Sequence, residues 1–394
     1  FCKSGCPIEN NIPEFIQEIK SNNFEKAYKI IEEKSNLSAI CGKICPHEKQ
    51  CEGSCILNRK GNPIKIGALE NFISNYAFEN TIFNEKIEEK NLGNVAIIGS
   101  GPAGLSCAYI LAKEGFNVTV YEMEKEFGGI LAYGIPEFRL KKSSVKREIE
   151  RLKNLGINFI NNTHLGKNIT IENLKENFDA IFIGTGANMP KAININGENL
   201  KGVISATEFL KQIPKLKNNE IKREDIEISE NDTVLIIGGG NVAMDTARTV
   251  KRITENTTVV YRRTQAEMPA SNAEYEETVK DNVDFMWRCS PLEFIGENGI
   301  LTGLKVKNLD TEEEFIIKAT KVLNAIGSKP IIECEEIELN DWGCINISEN
   351  PFGQTNIEGV FSAGDVVTGP ETVVLAMREA RKTAYAIKDY ILNK

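Results

Sequence analysis

Residues 95–122, "VAIIGSGPAGLSCAYILAKEGFNVTVYE", decide how the rest of the chain is read. An apolar run ends at Gly99, a Gly99-x-Gly101-x-x-Gly104 turn follows, a helix-forming stretch begins at Pro102 and Ala103, and Glu122 closes a second apolar run 23 residues beyond Gly99. Each part has a physical task in holding a dinucleotide. Gly99 permits a tight turn, Gly101 lets backbone amides approach a pyrophosphate at the helix N-terminus, Gly104 lets helix and strand pack, and Glu122 stands where ribose hydroxyls need an acceptor. The glycines alone would suit an ordinary turn. Strand, loop, helix, strand and acid in that order point to a nucleotide site.

Residues 233–264, "TVLIIGGGNVAMDTARTVKRITENTTVVYRRT", repeat the pattern as Gly238-x-Gly240-x-x-Ala243, with Asn241 and Val242 opening the helix. Here the position 24 residues beyond Gly238 is Arg262, followed by Arg263. An acid suits free ribose hydroxyls and a pair of arginines suits a ribose 2′-phosphate, so the first site is expected to take FAD or NAD and the second NADP(H). The plainer alternative is that the two arginines merely solvate a strand end.

Around both motifs, short apolar runs such as "DAIFIGTGA", "KVLNAIGSKP" and "GVFSAGD" alternate with helical stretches. One of these, residues 143–156, aligns Val145, Ile149 and Leu152 and stops at Gly156. That alternation predicts an α/β chain with parallel, doubly wound sheets. Residues 359–387 add an apolar strand ending in Gly364-Asp365, then a helix opened by Thr372 with Val373, Met377, Ala380 and Ala384 on one face. Asp365 is placed for a ribityl chain, and the helix N-terminus for the negative charge of a reduced flavin. After residue 55 the cysteines are Cys107, Cys289, Cys334 and Cys344, too far apart for a flavin-linked dithiol. Only His47 and His164 are histidines, so no Ser-His-Asp or His-metal site is indicated, and His164 reads as a surface residue.

A chain of 394 residues supports two or three domains. Its 47 basic and 56 acidic residues, net −9, lie in no long single-sign block, which argues against nucleic acid or an anionic membrane as the partner. No stretch approaches the roughly 18 continuous apolar residues of a membrane helix, and a cytoplasmic location is expected. Residues 1 to about 90 read as helical, with Phe15, Ile16 and Ile19 on one face and Phe24, Ala27, Tyr28 and Ile31 on another; the charged stretch 84–94 reads as a linker.

Six of the ten cysteines fall in the first 55 residues, which indicates metal rather than disulfides. "CGKICPHEKQCEGSC" (41–55) spaces Cys41, Cys45, Cys51 and Cys55 more densely than structural zinc favours, so an iron-sulfur cubane is preferred and zinc is the alternative. Cys2-x3-Cys6-Pro7 is the tail of a ferredoxin-type cysteine run.

With "CGKICPHEKQCEGSC", "GALENF", "GSGPAGLSCAYILAKEG", "GGILAYGIPEFRL", "GGGNVAMDTAR", "YRRTQAEMPA" and "AGDVVTGPETVVLAM", the chain resembles the glutamate synthase small (β) subunit family over essentially its whole length. The same family covers the large subunit of NADH-dependent ferredoxin:NADP oxidoreductase and the N-terminal half of dihydropyrimidine dehydrogenase. The resemblance implies two nested Rossmann-like domains, preceded by an all-helical domain with two [4Fe-4S] clusters. The implied division is 1–91 for the clusters, 92–187 with 328–394 for FAD, and 188–327 for NADP(H). One cluster would use Cys6, Cys45, Cys51 and Glu70, and the other Cys2, Cys55 and two cysteines upstream of Cys2, so Phe1 is expected to mark a truncation. Cys41 is not an implied ligand. FAD would contact Gly99 to Gly104, Glu122, Ile130, Arg139, Leu165, Gly364, Asp365 and Thr372; NADP(H) would contact Gly238, Gly240 to Ala243, Arg262, Arg263, Ala325, Ile326 and Gly327.

The expected activity is hydride transfer from NADPH to FAD, then single electrons to the clusters and to a large catalytic subunit, with no side chain acting as acid or base. One stretch departs from the resemblance: between "KNLD" and "EEEFIIK" the chain is shorter than the usual small subunit. A ferredoxin or a pyrimidine reductase is therefore an alternative acceptor. A non-catalytic redox scaffold is the third reading.

Overall fold

A computed structural model describes residues 1–82 and 91–394, so most of the 84–94 stretch read as a linker lies outside the described residues. Two compact units are present. The first comprises Phe1–Ala132, Glu137–Ala187 and Lys329–Lys394; the second comprises Tyr133–Pro136 and Asn188–Ser328.

In the first unit five parallel strands lie in the order Val360–Ser362, Ala180–Ile183, Asn94–Ile98, Asn117–Tyr121 and Asn158–Ile160. Val95 to Ile98 and Ala180 to Ile183 are buried continuously, as strands covered on both faces must be. The strand earliest in sequence lies at the centre, so the direction of winding reverses beside it. Gly99, at the carboxyl end of that strand, therefore opens onto the crevice where such sheets bind ligands. Helix Pro102–Glu114 is buried from Pro102 through Ala112 and packs against the terminal helix Val373–Leu392. The inward stripe of that terminal helix runs Val374, Met377, Ala380, Ala384 and Ile387. Val373, expected in the stripe, is only half-buried because it is the first helical residue and its side chain lies at the margin of the contact.

The N-terminal segment of this unit is helical, with Ile12–Lys20, Phe24–Glu32 and Ile66–Glu79 packed around Phe15, Ile31 and Ile73, and Ser38–Ile44 packed against Ile66–Glu79. It is fastened to the sheet region by polar contacts as well as apolar ones. Arg151 on helix Lys142–Asn154 is 3% exposed, and its guanidinium reaches Glu148 at 3.0 Å and Glu32 at 2.7 Å. It also donates to the carbonyl of Asn36, whose side chain accepts from Ser106 at 3.1 Å. From the terminal helix, Arg381 donates to the carbonyls of Glu33 and Lys34.

The second unit repeats the five-stranded design, in the order Val203–Ser205, Lys321–Asn324, Val234–Ile237, Thr257–Tyr261 and Asp284–Trp287, all parallel. It also contains a three-stranded antiparallel sheet, Cys289–Glu297, Ile300–Asn308 and Glu314–Lys318, which the parallel α/β expectation did not include. Its first turn is Asn298-Gly299, both at positive φ, as a two-residue hairpin of matching twist requires. Among the described residues, no helix is long and apolar enough to cross a membrane.

Candidate functional site

The first nucleotide loop has the shape its glycines predict. A Cβ on Gly99, whose φ is +97°, would stand 2.6 Å from the Gly184 carbonyl oxygen, and one on Gly104 would stand 1.9 Å from the Gly99 carbonyl oxygen. Both positions therefore exclude a side chain. A Cβ on Gly101 would meet nothing within 4 Å, so open space lies where a pyrophosphate approaches the start of helix Pro102–Glu114.

Glu122 is buried and partly committed within the protein. One carboxylate oxygen accepts from the Ser100 amide at 3.0 Å and from the Ser100 hydroxyl, and the other accepts from the Glu124 amide at 3.0 Å. Ser100 Oγ accepts in turn from the Gly128 amide at 2.8 Å. Glu122 thus braces the loop and keeps acceptor capacity on its second oxygen. The sequence reading missed this brace and missed Gly129, whose Cβ would stand 3.0 Å from Gly101 Cα. The paired glycines before Ile130 were the available signal. Ile130 itself is 45% exposed beside that contact.

The carboxyl end of strand Val360–Ser362 joins the same place. A Cβ on Gly364 would stand 2.8 Å from Ala103 Cβ and 3.7 Å from Ala376 Cβ, which brings Gly364 and Asp365 against the first turn of one helix and the start of another. Burial pushes the Asp365 carboxyl up to about 7, opposed by a hydrogen bond from the Glu371 backbone. Thr372 caps the terminal helix, and its hydroxyl oxygen is buried with no hydrogen-bond partner among the described residues. A half-buried acid that resists ionising and an unpartnered hydroxyl, set around an open glycine cradle, fit the polyhydroxyl and phosphate chemistry of FAD. Leu165 lies in the apolar core that also holds Ile98 and Val366, and Arg139 is half-buried ahead of helix Lys142–Asn154.

In the second unit, a Cβ on Gly238 would stand 2.5 Å from the Ala325 carbonyl oxygen, which joins the 238–243 loop to the segment Ala325 to Gly327. Gly240 faces open space, Ala243 is fully buried under helix Asn241–Lys251, and Asn241 accepts from the Ser271 amide at 3.0 Å. Val242, in the first turn of that helix, and Ile326, in the 325–327 segment, are exposed apolar residues. Arg262 and Arg263 follow strand Thr257–Tyr261 directly and are exposed. Exposed guanidinium groups at a strand end, beside an open glycine loop, fit a 2′-phosphorylated ribose.

The helical segment carries the residues expected to ligate iron. Cys45 ends helix Ser38–Ile44, Cys51 follows on the next loop, Cys6 comes from the N-terminal turn, and Glu70 is buried on helix Ile66–Glu79. In the metal-free chain, burial pushes Glu70 up to about 7, Cys6 to about 11 and Cys51 to about 12. Cys45 is raised as well, chiefly by a hydrogen bond with Cys41 and then by burial. The negative charge of Glu70 contributes to the rise of all three thiols. Three thiols and an acid that resist ionising together suit a cationic iron centre, which would draw them into their ligating forms. Among the described residues, no three His, Cys, Asp or Glu stand close enough to share one ion. Ligands on separate irons of a cubane stand further apart.

Two close approaches set this geometry, and neither was read from the sequence. A Cβ on Gly42 would stand 2.7 Å from the Asn71 amide, and the Gly67 amide donates to Glu52 at 3.1 Å. They press helix Ser38–Ile44 and the 45–55 loop onto the helix that carries Glu70. Cys55 is buried and Cys2 half-buried; Cys55 borders a depression of about 490 Å³ that is also lined by Phe1, Gly5, Ile56 and Arg59.

Residues 93–380 match the family described as pyridine nucleotide-disulphide oxidoreductase, and residues 1–82 match dihydropyrimidine dehydrogenase domain II, 4Fe-4S cluster. The glutamate synthase [NADPH] small chain of Escherichia coli is 32% identical over 99% of this chain and 88% of its own length. The NADP(+)-dependent formate dehydrogenase subunit beta of Moorella thermoacetica is 30% identical over 99% of this chain and 60% of its own length. Among solved structures, Mycobacterium tuberculosis FprA in complex with NADPH superposes with a TM-score of 0.66 at 19% identity, over 76% of this chain and 85% of that one, a likeness of fold.

Proposed function

Because the chain belongs to the glutamate synthase small-chain family of pyridine nucleotide-disulphide oxidoreductases, we propose that it is the NADPH-oxidising, electron-input subunit of a glutamate synthase. The observation that carries this reading is the presence, in one compact unit, of both the open dinucleotide loop at Gly99 to Gly104 and the donor set Cys6, Cys45, Cys51 and Glu70.

In this reading the segment 1–91 carries the iron, 92–187 with 328–394 holds FAD, and 188–327 holds NADP(H). Gly99, Gly101, Pro102, Ala103 and Gly104 cradle the FAD pyrophosphate, Glu122 takes a ribose hydroxyl, and Asp365 and Thr372 take the polar groups nearer the flavin ring. Gly238 to Ala243 hold the second pyrophosphate, and Arg262 and Arg263 hold the 2′-phosphate. Cys6, Cys45, Cys51 and Glu70 ligate one [4Fe-4S] cluster, and Cys2 and Cys55 contribute to another. FAD held by the Gly99 to Gly104 cradle would supply a two-electron acceptor for hydride from NADPH that can give up single electrons to iron and sulfur held by the cysteines and Glu70. The side chains supply position, charge and exclusion of water, and the positive end of the terminal helix at Thr372 favours an anionic ring.

The partner in this proposal is the large glutamate synthase chain. A second acceptor class is favoured by one observation: the turn Leu309–Glu313 joins two strands directly where the resemblance implied an insertion. The test mixes the purified chain with the E. coli glutamate synthase large chain and measures NADPH-dependent glutamate formation, with a viologen dye as control. Glutamate formation supports the proposal. Dye reduction without it favours the second acceptor class, and failure to reduce either rejects both.

A further inference from the structure

Cys41 lies in the cysteine motif yet is not among the proposed iron ligands, and it is 2% exposed. It lies on helix Ser38–Ile44 four residues before Cys45, which caps that helix and donates its amide to the Cys41 carbonyl, and the two thiols are hydrogen-bonded. On its other side the Cys41 thiol donates to the Met377 sulfur at 3.5 Å, across 336 positions of sequence. Met377 is 2% exposed on the terminal helix. Its neighbour Ala376 faces Gly364 in the proposed flavin cradle, and Thr372 caps the same helix. A packed run therefore leads from a cluster ligand to the flavin loop: Cys45, Cys41, Met377, Ala376, Gly364.

We propose that the Cys41–Met377 contact couples the flavin site to the cluster site, setting how efficiently single electrons pass between them. The inference rests on the electron-input reading above. Each passage oxidises the donor by one electron and reduces the cluster by one, and no bond is made or broken at either sulfur. Ordinary core packing is the plainer account of two buried sulfur atoms. Against it, the helical segment is already fastened by Arg151, Arg381 and Ser106, so docking does not depend on this contact. What the contact adds is closeness between the helix that precedes Cys45 and the helix that follows Thr372. A void there would remove the touching atoms on one side outright.

Met377→Ala opens such a void, Met377→Leu refills it, and Cys41→Ala removes the other partner. Each full-length variant is mixed anaerobically with NADPH, and flavin bleaching and freeze-quenched cluster resonance are followed in time. Flavin bleaching should keep the wild-type rate in all three. Cluster reduction should slow by about tenfold in both alanine variants and recover in Met377→Leu, with flavin and iron contents unchanged. In iron- and flavin-free protein, iodoacetamide should label Cys41 slowly in wild type and Met377→Leu, and faster in Met377→Ala. Should Cys41→Ala lose iron, Met377→Ala carries the test, because Met377 is no ligand. Wild-type cluster reduction rates in fully loaded Met377→Ala would overturn the coupling role. A wild-type chain whose flavin bleaches while no cluster is ever reduced would overturn the electron-input reading and the inference with it.

Discussion

Gly104 has no room for a side chain, while Gly101, three residues earlier, faces open space. Gly104→Ala should destabilise the flavin-free protein by about 1–3 kcal/mol and yield colourless preparations, because the new methyl group is driven into the Gly99 carbonyl. Gly101→Ala should leave flavin-free stability unchanged and still weaken FAD retention; denaturant midpoints and flavin absorbance of purified protein check both. For Arg262→Ala with Arg263→Ala, losing charge-assisted hydrogen bonds worth roughly 1.5–3 kcal/mol each should raise KM for NADPH at least about tenfold and leave KM for NADH unmoved. Asp365 supplies a pH test. Its folded value of about 7 lies above the ordinary 3.8, so its contribution to flavin-free stability is full below pH 4 and is lost as pH rises through 7. Melting temperatures of deflavinated wild type should therefore fall from pH 5 to 8 relative to Asp365→Asn, and parallel curves would contradict this. The glycines, and the places of Glu122 and the arginine pair at strand ends, were legible because the strand-turn-helix pattern fixes them. Ser100 and Gly129 were not, since their roles are contacts between loops that only the folded chain brings together.

Helices and strands were legible where periodicity was strong. Residues 143–156 form helix Lys142–Asn154 with Val145, Ile149 and Leu152 buried, and every glycine-terminated apolar run quoted above supplies a parallel strand. The antiparallel sheet was overlooked although Asn298-Gly299 is a strong short-range hairpin signal, because the reading followed the dinucleotide repeat through that region. The contact between helices Ser38–Ile44 and Ile66–Glu79 depends on Gly42, a residue no period marks. Gly42→Ala should separate the helices and lower iron content per chain while leaving NADPH-dependent flavin bleaching intact, a split read by iron assay and stopped-flow absorbance. Arg151 is the corresponding element-scale clamp. Arg151→Leu leaves Glu148 and Glu32 without their shared cation, and should cost about 3–5 kcal/mol in urea unfolding of the first unit.

At the scale of the whole molecule, the chain places a helical iron-binding segment and one nucleotide sheet in a single compact unit, with a second nucleotide sheet in another. This organisation was legible because the chain uses one supersecondary design twice and concentrates cysteine at one end. The acceptor was less legible, since a partner is recognised by surface shape and charge rather than by a spaced motif. The central claim is that electrons entering as hydride from NADPH leave through iron and sulfur held by this same chain. An anaerobic NADPH titration of the purified protein, read by flavin absorbance near ~450 nm and by electron paramagnetic resonance, tests it most directly. The account predicts flavin bleaching by NADPH in preference to NADH, together with a reduced-cluster resonance that Cys45→Ala abolishes without preventing bleaching. Flavin that stays oxidised under excess NADPH, or a resonance indifferent to Cys45, would contradict it.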